Sequence, residues 1–309
     1  MRGGDPPGST VVERREAAWP RFEEIEAEAS RIAHYQAGKL VEGDEAGFVA
    51  QAARSAASQV LARANASVPA AASRRGGPAR YARVLRGPEP CGWCFALAAM
   101  GFDYSSAEAA SHSHRGCRCL VVPGDADGAI EGYDLGGIQG RYRALADACG
   151  PGAAAEKVVR FAELHDPGWL YDGRPVEADY SEKPRKRLEN HEMKTVDDLE
   201  RMGIRPKTLA EDEFAAANID LLVHEELWEM KNVGDGKHAI EDRLRDSSKK
   251  WEKLGSSLPV RTILTAYGTR RPLDELCAEA WKRRRYWDEC IVIAPDGTFA
   301  FLVNPGEDK

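Results

Sequence analysis

Over residues 17–66 the apolar positions recur at helical spacing. Trp19, Phe22, Ile25 and Ile32 share a face with acids between them, and "EAGFVAQAARSAASQVLARANA" predicts a second, alanine-rich helix. Residues 67–90 are punctuated by Pro and Gly and read as a connection with a short basic turn. "CGWC" then opens a helix-like run. Residues 126–184 are rich in Gly, Asp and Pro, carry helical pieces such as "GGIQGRYRALADACG", and read as a linker. From about Pro184 the pattern changes. Leu188, Met193, Val196, Leu199 and Met202 fall near one face of a predicted amphipathic helix. Two apolar runs at 219–233, around the polar turn His224-Glu225-Glu226, predict a β-hairpin. A charged helix at 237–254, a strand at 260–268, a helix at 272–287 and a hairpin at 289–303 with an Asp296-Gly297 turn complete the series. The order α-β-β-α-β-α-β-β predicts a mixed sheet covered by helices. No internal repeat is present.

The chain of 309 residues suits two domains. With 43% hydrophobic and 30% charged residues, each half can build a core. No apolar run is long enough to span a bilayer, and the first residues carry no apolar segment of a secretory signal. The expectation is therefore no membrane segment and no signal peptide. A net charge of −7 lowers the expectation of a nucleic-acid binder, although local basic patches can coexist with metal-binding acids.

Four of the seven cysteines, Cys91, Cys94, Cys117 and Cys119, lie close together, with His112 and His114 among them. Cys-x2-Cys places two thiolates on one knuckle, and His114-x2-Cys117-x-Cys119 offers a second set of ligands. Thiolate and imidazole suit a closed tetrahedral zinc site. More candidates than four compete for it, and a redox pair or a group of buried cysteines is the other reading. "RYARVLRGPEPCGWCFALAAMGFDYSSAEA…SHSHRGCRCLVVPG" resembles the phage Mu F-like (MuF) minor capsid or head-morphogenesis proteins over about residues 15 to 125. The resemblance implies a structural role beside phage portal and capsid proteins, with a variable toxin domain sometimes carried C-terminally.

The predicted hairpin at 219–233 carries Asp220, Glu229 and Lys231 inside its apolar runs. Side chains alternate along a strand, so Glu229 and Lys231 project to one side, and a short turn brings Asp220 beside them. Two carboxylates there can share a divalent cation such as Mg²⁺. The cation polarises a phosphate and activates water, and Lys231 can orient that water or meet developing charge. Asp-x8-Glu-x-Lys is the spacing of the PD-(D/E)xK nuclease hairpin; a solvated strand face with a salt bridge is the other reading. A further acid, Glu192, stands about 28 residues upstream. Arg243, Arg245, Lys249 and Lys250 make the following helix basic. Lys237 at its start can contact phosphate. Lys282, Arg283, Arg284 and Arg285, between Trp281 and Trp287, can follow an RNA backbone, although tryptophans so placed are more often core. His191 is either a base or a helix-border residue.

Residues 186 to 303 are similar to the CdiA C-terminal toxin domain of contact-dependent growth inhibition. The likeness rests on the Asn-His-Glu helix start, the Asp before the hairpin, Trp-Glu-x-Lys, Gly-Lys-x-x-Ile and the late basic helix. It implies a metal-dependent ribonuclease, often acting on tRNA, with Glu192, Asp220, Glu229 and Lys231 as site residues and a cognate immunity protein as partner. Ile219 replaces the usual proline, and Lys250 stands where a glutamine is expected, a place from which a lysine can still meet a substrate phosphate. The expectation is therefore a multidomain chain. A mainly α domain with a zinc knuckle spans 1–125, a linker 126–184, and an α/β nuclease domain with a mixed sheet 185–309. The first would deliver or anchor from the producer's cytoplasm or a virion-like particle, and the second would act in a target-cell cytoplasm. A DNase on the same fold, or a structural capsid protein with an inactive C-terminal domain, are the alternatives.

Overall fold

The computed structural model describes residues 80–86, 91–111, 119–125, 128–212, 215–255 and 258–306, and Val49 singly. The helices expected between 17 and 66 lie outside the described residues, Val49 apart, and so do His112, His114 and Cys117. The chain divides into two compact units, Met1–Arg86 with Phe102–Gly128, and Gly87–Gly101 with Ala129–Lys309.

In the first unit β1 (Arg80–Val84) pairs antiparallel with β2 (Leu120–Gly124), Arg80 facing Gly124 and Val84 facing Leu120. One helical turn at Ala107–Ala110 packs on both strands. Tyr81, Ala107, Ala110 and Val121 form the small core. β1 falls in the stretch read as a connection. Four of its five residues are buried, so no polar alternation marks it. One of them is Arg83, only 2% exposed, which donates to Ala110 O at 3.1 Å and so satisfies part of its buried guanidinium.

The second unit is α/β. Its helices are α1 (Gly92–Ala99), α2 (Leu135–Cys149), α3 (Ala155–Glu163), α4 (Pro167–Asp172), α5 (Asn190–Met202), α6 (Ala239–Lys253) and α7 (Leu273–Trp281). Its strands are β3 (Lys207–Thr208), β4 (Leu221–Val223), β5 (Glu226–Asn232), β6 (Arg261–Thr265), β7 (Glu289–Ile293) and β8 (Phe299–Val303). They form one sheet in the order β3-β4-β5-β6-β7-β8. β5, β6 and β7 are parallel and the outer pairings antiparallel, which is the expected mixed sheet with one short strand added. Two parallel steps need crossovers, and α6 and α7 supply them. Val233, Ile240, Leu244, Leu264, Leu276, Trp287 and Val292 make the core that holds these helices to the sheet.

Residues 129–184 carry α2, α3 and α4, where the sequence suggests a linker. α3 has a buried face of Val158, Val159, Phe161 and Ala162. Phe161 stacks on Phe301 of β8 with ring centroids 4.7 Å apart. Gly92 of the Cys-Gly-Trp-Cys run lets α1 cross α3 closely, because a Cβ there would meet Val159 O at 2.7 Å. Arg160 of α3 ties together the first residues of β5 and β7. It reaches Glu289 at 2.6 Å and Glu226 at 2.5 Å, and Arg261 bridges the same two acids at 2.8 and 3.1 Å. Arg160→Met keeps the packed stem but leaves the buried Glu289 and the half-buried Glu226 sharing one arginine. We expect a loss of about 2 kcal/mol in urea unfolding; an unchanged midpoint would show the cluster to be energetically neutral.

Candidate metal and phosphate site

The β4–β5 hairpin is built around a two-residue turn, with Val223 facing Glu226 across it. His224 and Glu225 both take positive φ, 47° and 66°. This left-handed pair matches the twist of the flanking strands, which is why so short a turn is feasible without glycine. The register brings Leu221 opposite Trp228, so Asp220, one residue before β4, lies across from Glu229. Asp220 Oδ2 accepts the Met230 N–H at 2.7 Å, which pins the acid to the next strand.

Period-two alternation puts Glu229, Lys231 and Val233 on one face of β5. α6 covers that face, packing Ile240 and Leu244 against Val233. Glu229 is fully buried. Its Oε1 accepts from two ammonium groups, Lys231 of its own strand and Lys250 of α6. Lys250 Nζ also donates to Asn218 O at 2.9 Å. Beside Glu229 on β6 stands Thr262, whose hydroxyl pairs with Ser247 of α6 at 2.7 Å. Glu229 Oε2 is buried and has no hydrogen-bond partner. Burial pushes the Glu229 carboxyl up to about 7, the charge of Asp220 adds to this, and the two lysines oppose it. Burial works to lower the Lys250 ammonium, but Glu229 and Asp220 outweigh it and hold it above the ordinary lysine range.

The structure therefore gathers Asp220, Glu229, Lys231 and Lys250. The contacts of Glu192 are with other groups. As the third residue of α5, Glu192 turns back to accept the Glu189 N–H at 2.8 Å and pairs with Lys183 at 3.4 Å. Capping its own helix uses the carboxylate that the sequence reading assigns to the metal. His191 lies 3.3 Å from Glu189, at the border of the same helix.

The expected substrate-binding residues are spread over α6 and the segment after α7. Lys237 and Arg243 are exposed. Arg283 is held by Glu241 of α6 at 3.1 Å, and the Arg284 guanidinium lies 5.6 Å over the Trp281 ring. Trp281 is 40% exposed, whereas Trp287 is buried and donates to Ala280 O. Of the flanking tryptophans, then, one is core and one presents a face.

Sequence reasoning gave Lys250 a phosphate, not a carboxylate. Its contact with Glu229 depends on how α6 crosses β5, which no local spacing encodes.

Among the described residues no three His, Cys, Asp or Glu side chains gather to hold a metal. The site offers two carboxylates, which is the usual protein share for Mg²⁺, whose remaining ligands are waters and substrate phosphate oxygens. The unpartnered Glu229 Oε2 is a free oxygen ligand in that pair, so the residues fit such a cation. Of the zinc candidates, Cys91 caps α1 by accepting the Cys94 N–H at 3.4 Å, Cys94 is buried, and Cys119 is buried before β2.

The model of the VG15 protein family matches residues 10–145. That stretch is less than half of the chain and includes the whole cysteine region. No curated protein and no solved structure matches. Among the described residues no helix is long and apolar enough to cross a membrane.

Proposed function

We propose that the second unit is a PD-(D/E)xK-like, metal-dependent ribonuclease acting on structured RNA such as tRNA. The observation that carries this reading is the buried Glu229, with one oxygen open, beside Asp220 and Lys231 on two adjoining strands. A bound Mg²⁺ would act as Lewis acid at the phosphate and acidify a coordinated water. Asp220 and Glu229 would hold it. Lys231, fixed next to Glu229, places a positive charge where a phosphate gains negative charge during cleavage. Lys237, Arg243, Arg283 and Arg284 would bind the RNA backbone, and exposed Trp281 offers a stacking face.

The N-terminal portion we read as a MuF-like, minor-capsid-type delivery module; the match to a viral-type family over 10–145 supports it. Together the two parts make a polymorphic toxin of the CdiA kind. It would be held in the producer's cytoplasm or in a virion-like particle, blocked there by an immunity protein, and active in a target-cell cytoplasm. A structural zinc on four of Cys91, Cys94, His114, Cys117 and Cys119 is proposed from their spacing. Metal analysis of the purified chain is expected to return stoichiometric zinc, and its absence would sink that part.

The experiment for the enzyme is incubation of the full chain with total RNA and with duplex DNA, each with Mg²⁺ and with EDTA. RNA cleavage that EDTA abolishes is expected. Cleavage of DNA alone would make the domain a DNase. No cleavage of either polymer would leave a structural protein with an inactive C-terminal domain.

A further inference from the structure

Glu229 is paired with more positive charge than one carboxylate needs. Lys231 and Lys250 both bring an ammonium to Oε1, while Asp220 spends Oδ2 on the Met230 N–H. The two acids and two lysines sum to zero charge, so the pair faces an incoming cation already neutralised. The two lysines are not equivalent. Lys231 sits two residues along the same strand as Glu229, its side chain 14% exposed, and strand geometry keeps it beside the acid. Lys250 reaches in from α6 with its side chain 33% exposed, holding Asn218 O as its second partner. A long, flexible stem lets such a head leave for solvent while the stem stays packed.

We propose that Lys250 is a displaceable internal counter-ion: it occupies Glu229 until a divalent cation binds, and so sets how tightly this site takes its metal. This inference rests on the metal-dependent reading above and adds to it a regulating residue. The physical reason is direct competition. An ammonium and a divalent cation both seek the Glu229 oxygens, and an ammonium left in place repels the cation at short range in a poorly solvated site. Removing Lys250 takes away both the competitor and the repulsion, while Lys231 still keeps Glu229 from standing as a lone buried charge.

The test is Mn²⁺ binding to the full chain by calorimetry, at about pH 8, with no nucleic acid present. Binding that disappears in Glu229→Gln identifies the site and separates it from any other metal bound by the cysteine region. Lys250→Gln and Lys250→Ala are expected to bind at least roughly tenfold tighter than the wild type. Lys250→Arg, which keeps the charge, is expected to stay close to it. Circular dichroism checks that each variant is folded, and either neutral variant suffices. If both neutral variants bind as the wild type does, or more weakly, while Glu229→Gln still abolishes binding, Lys250 is no competitor and the metal site stands without it. If no binding depends on Glu229 in any variant, the proposal and the metal-dependent reading fall together.

Discussion

Glu229→Gln is expected to lower RNA cleavage by the full chain at least about a thousandfold while leaving it folded. Glutamine has the size of glutamate, so the packing beneath α6 is kept, and its carbonyl oxygen can still accept from Lys231 and Lys250. What it removes is charge. The oxygen that lacks a partner in the native protein becomes an amide nitrogen, which does not ligate a hard cation. With Asp220 alone the cation would have one carboxylate, already committed through one oxygen to the Met230 N–H. Single-turnover cleavage with excess enzyme gives the chemical step directly. Lys231→Ala should follow with a smaller loss, about a hundredfold, because it supplies charge to the phosphate and leaves both acids in place. Retention of more than a tenth of wild-type cleavage by Glu229→Gln would place the chemistry elsewhere.

The second large effect concerns stability and pH. Two buried groups in the same unit pull in opposite directions. Glu229 is pushed up to about 7 from an ordinary 4.5, chiefly by burial. Its folded state takes up a proton before the unfolded chain does, so its contribution is present below 4.5 and is lost as pH rises to 7. His165 is pushed down to about 4 from 6.5, again by burial. Its ring sits between Phe161 and Trp169, with Nδ1–H donating to Phe161 O and Nε2 left without a partner. The neutral ring is favoured in the fold, so its contribution is present above 6.5 and is lost as pH falls through 4. Each displacement is worth about 3 kcal/mol. Between 4.5 and 6.5 the two nearly cancel, and wild-type stability should be close to flat from this pair. Glu229→Gln leaves His165 unopposed, and stability should climb by about 3 kcal/mol across that range. His165→Phe should show the reverse slope. Urea unfolding followed through exchange of the β5 amides would read both; the same slope in wild type and both variants would overturn the assignment.

Much of the second unit was legible because its signals are local. α5, α6 and the closing hairpin announce themselves by apolar period and by the Asp296-Gly297 turn, where Gly297 takes φ 83°. Alternation along β5 also placed Glu229 and Lys231 on one face without a structure. Other parts depend on contacts far apart in sequence. α3 has Ala154 as its N-cap, with no side-chain cap hydrogen bond, and is only nine residues long, so its helical state owes more to Phe161 packing on Phe301 than to its own sequence. The Arg160 cluster joins acids 66 and 129 residues away. Glu192 has a use that spacing alone does not reveal: in the first turn of α5 its carboxylate accepts the Glu189 N–H and caps the helix.

The strand order has a consequence for how the chain comes into being. β5, which carries Glu229, lies inside the sheet, and its parallel neighbour β6 and the strands beyond it are made later. Until Val303 leaves the ribosome, β7 lacks its outer partner β8. At synthesis rates of roughly 5–20 residues per second, several seconds separate Lys231 from that point. During them the acids and lysines exist as side chains on an unfinished sheet, without the enclosure that makes them a site. Assembly of the site thus waits on strands made after the residues that form it, and a growing chain carries its sequence long before it carries its chemistry.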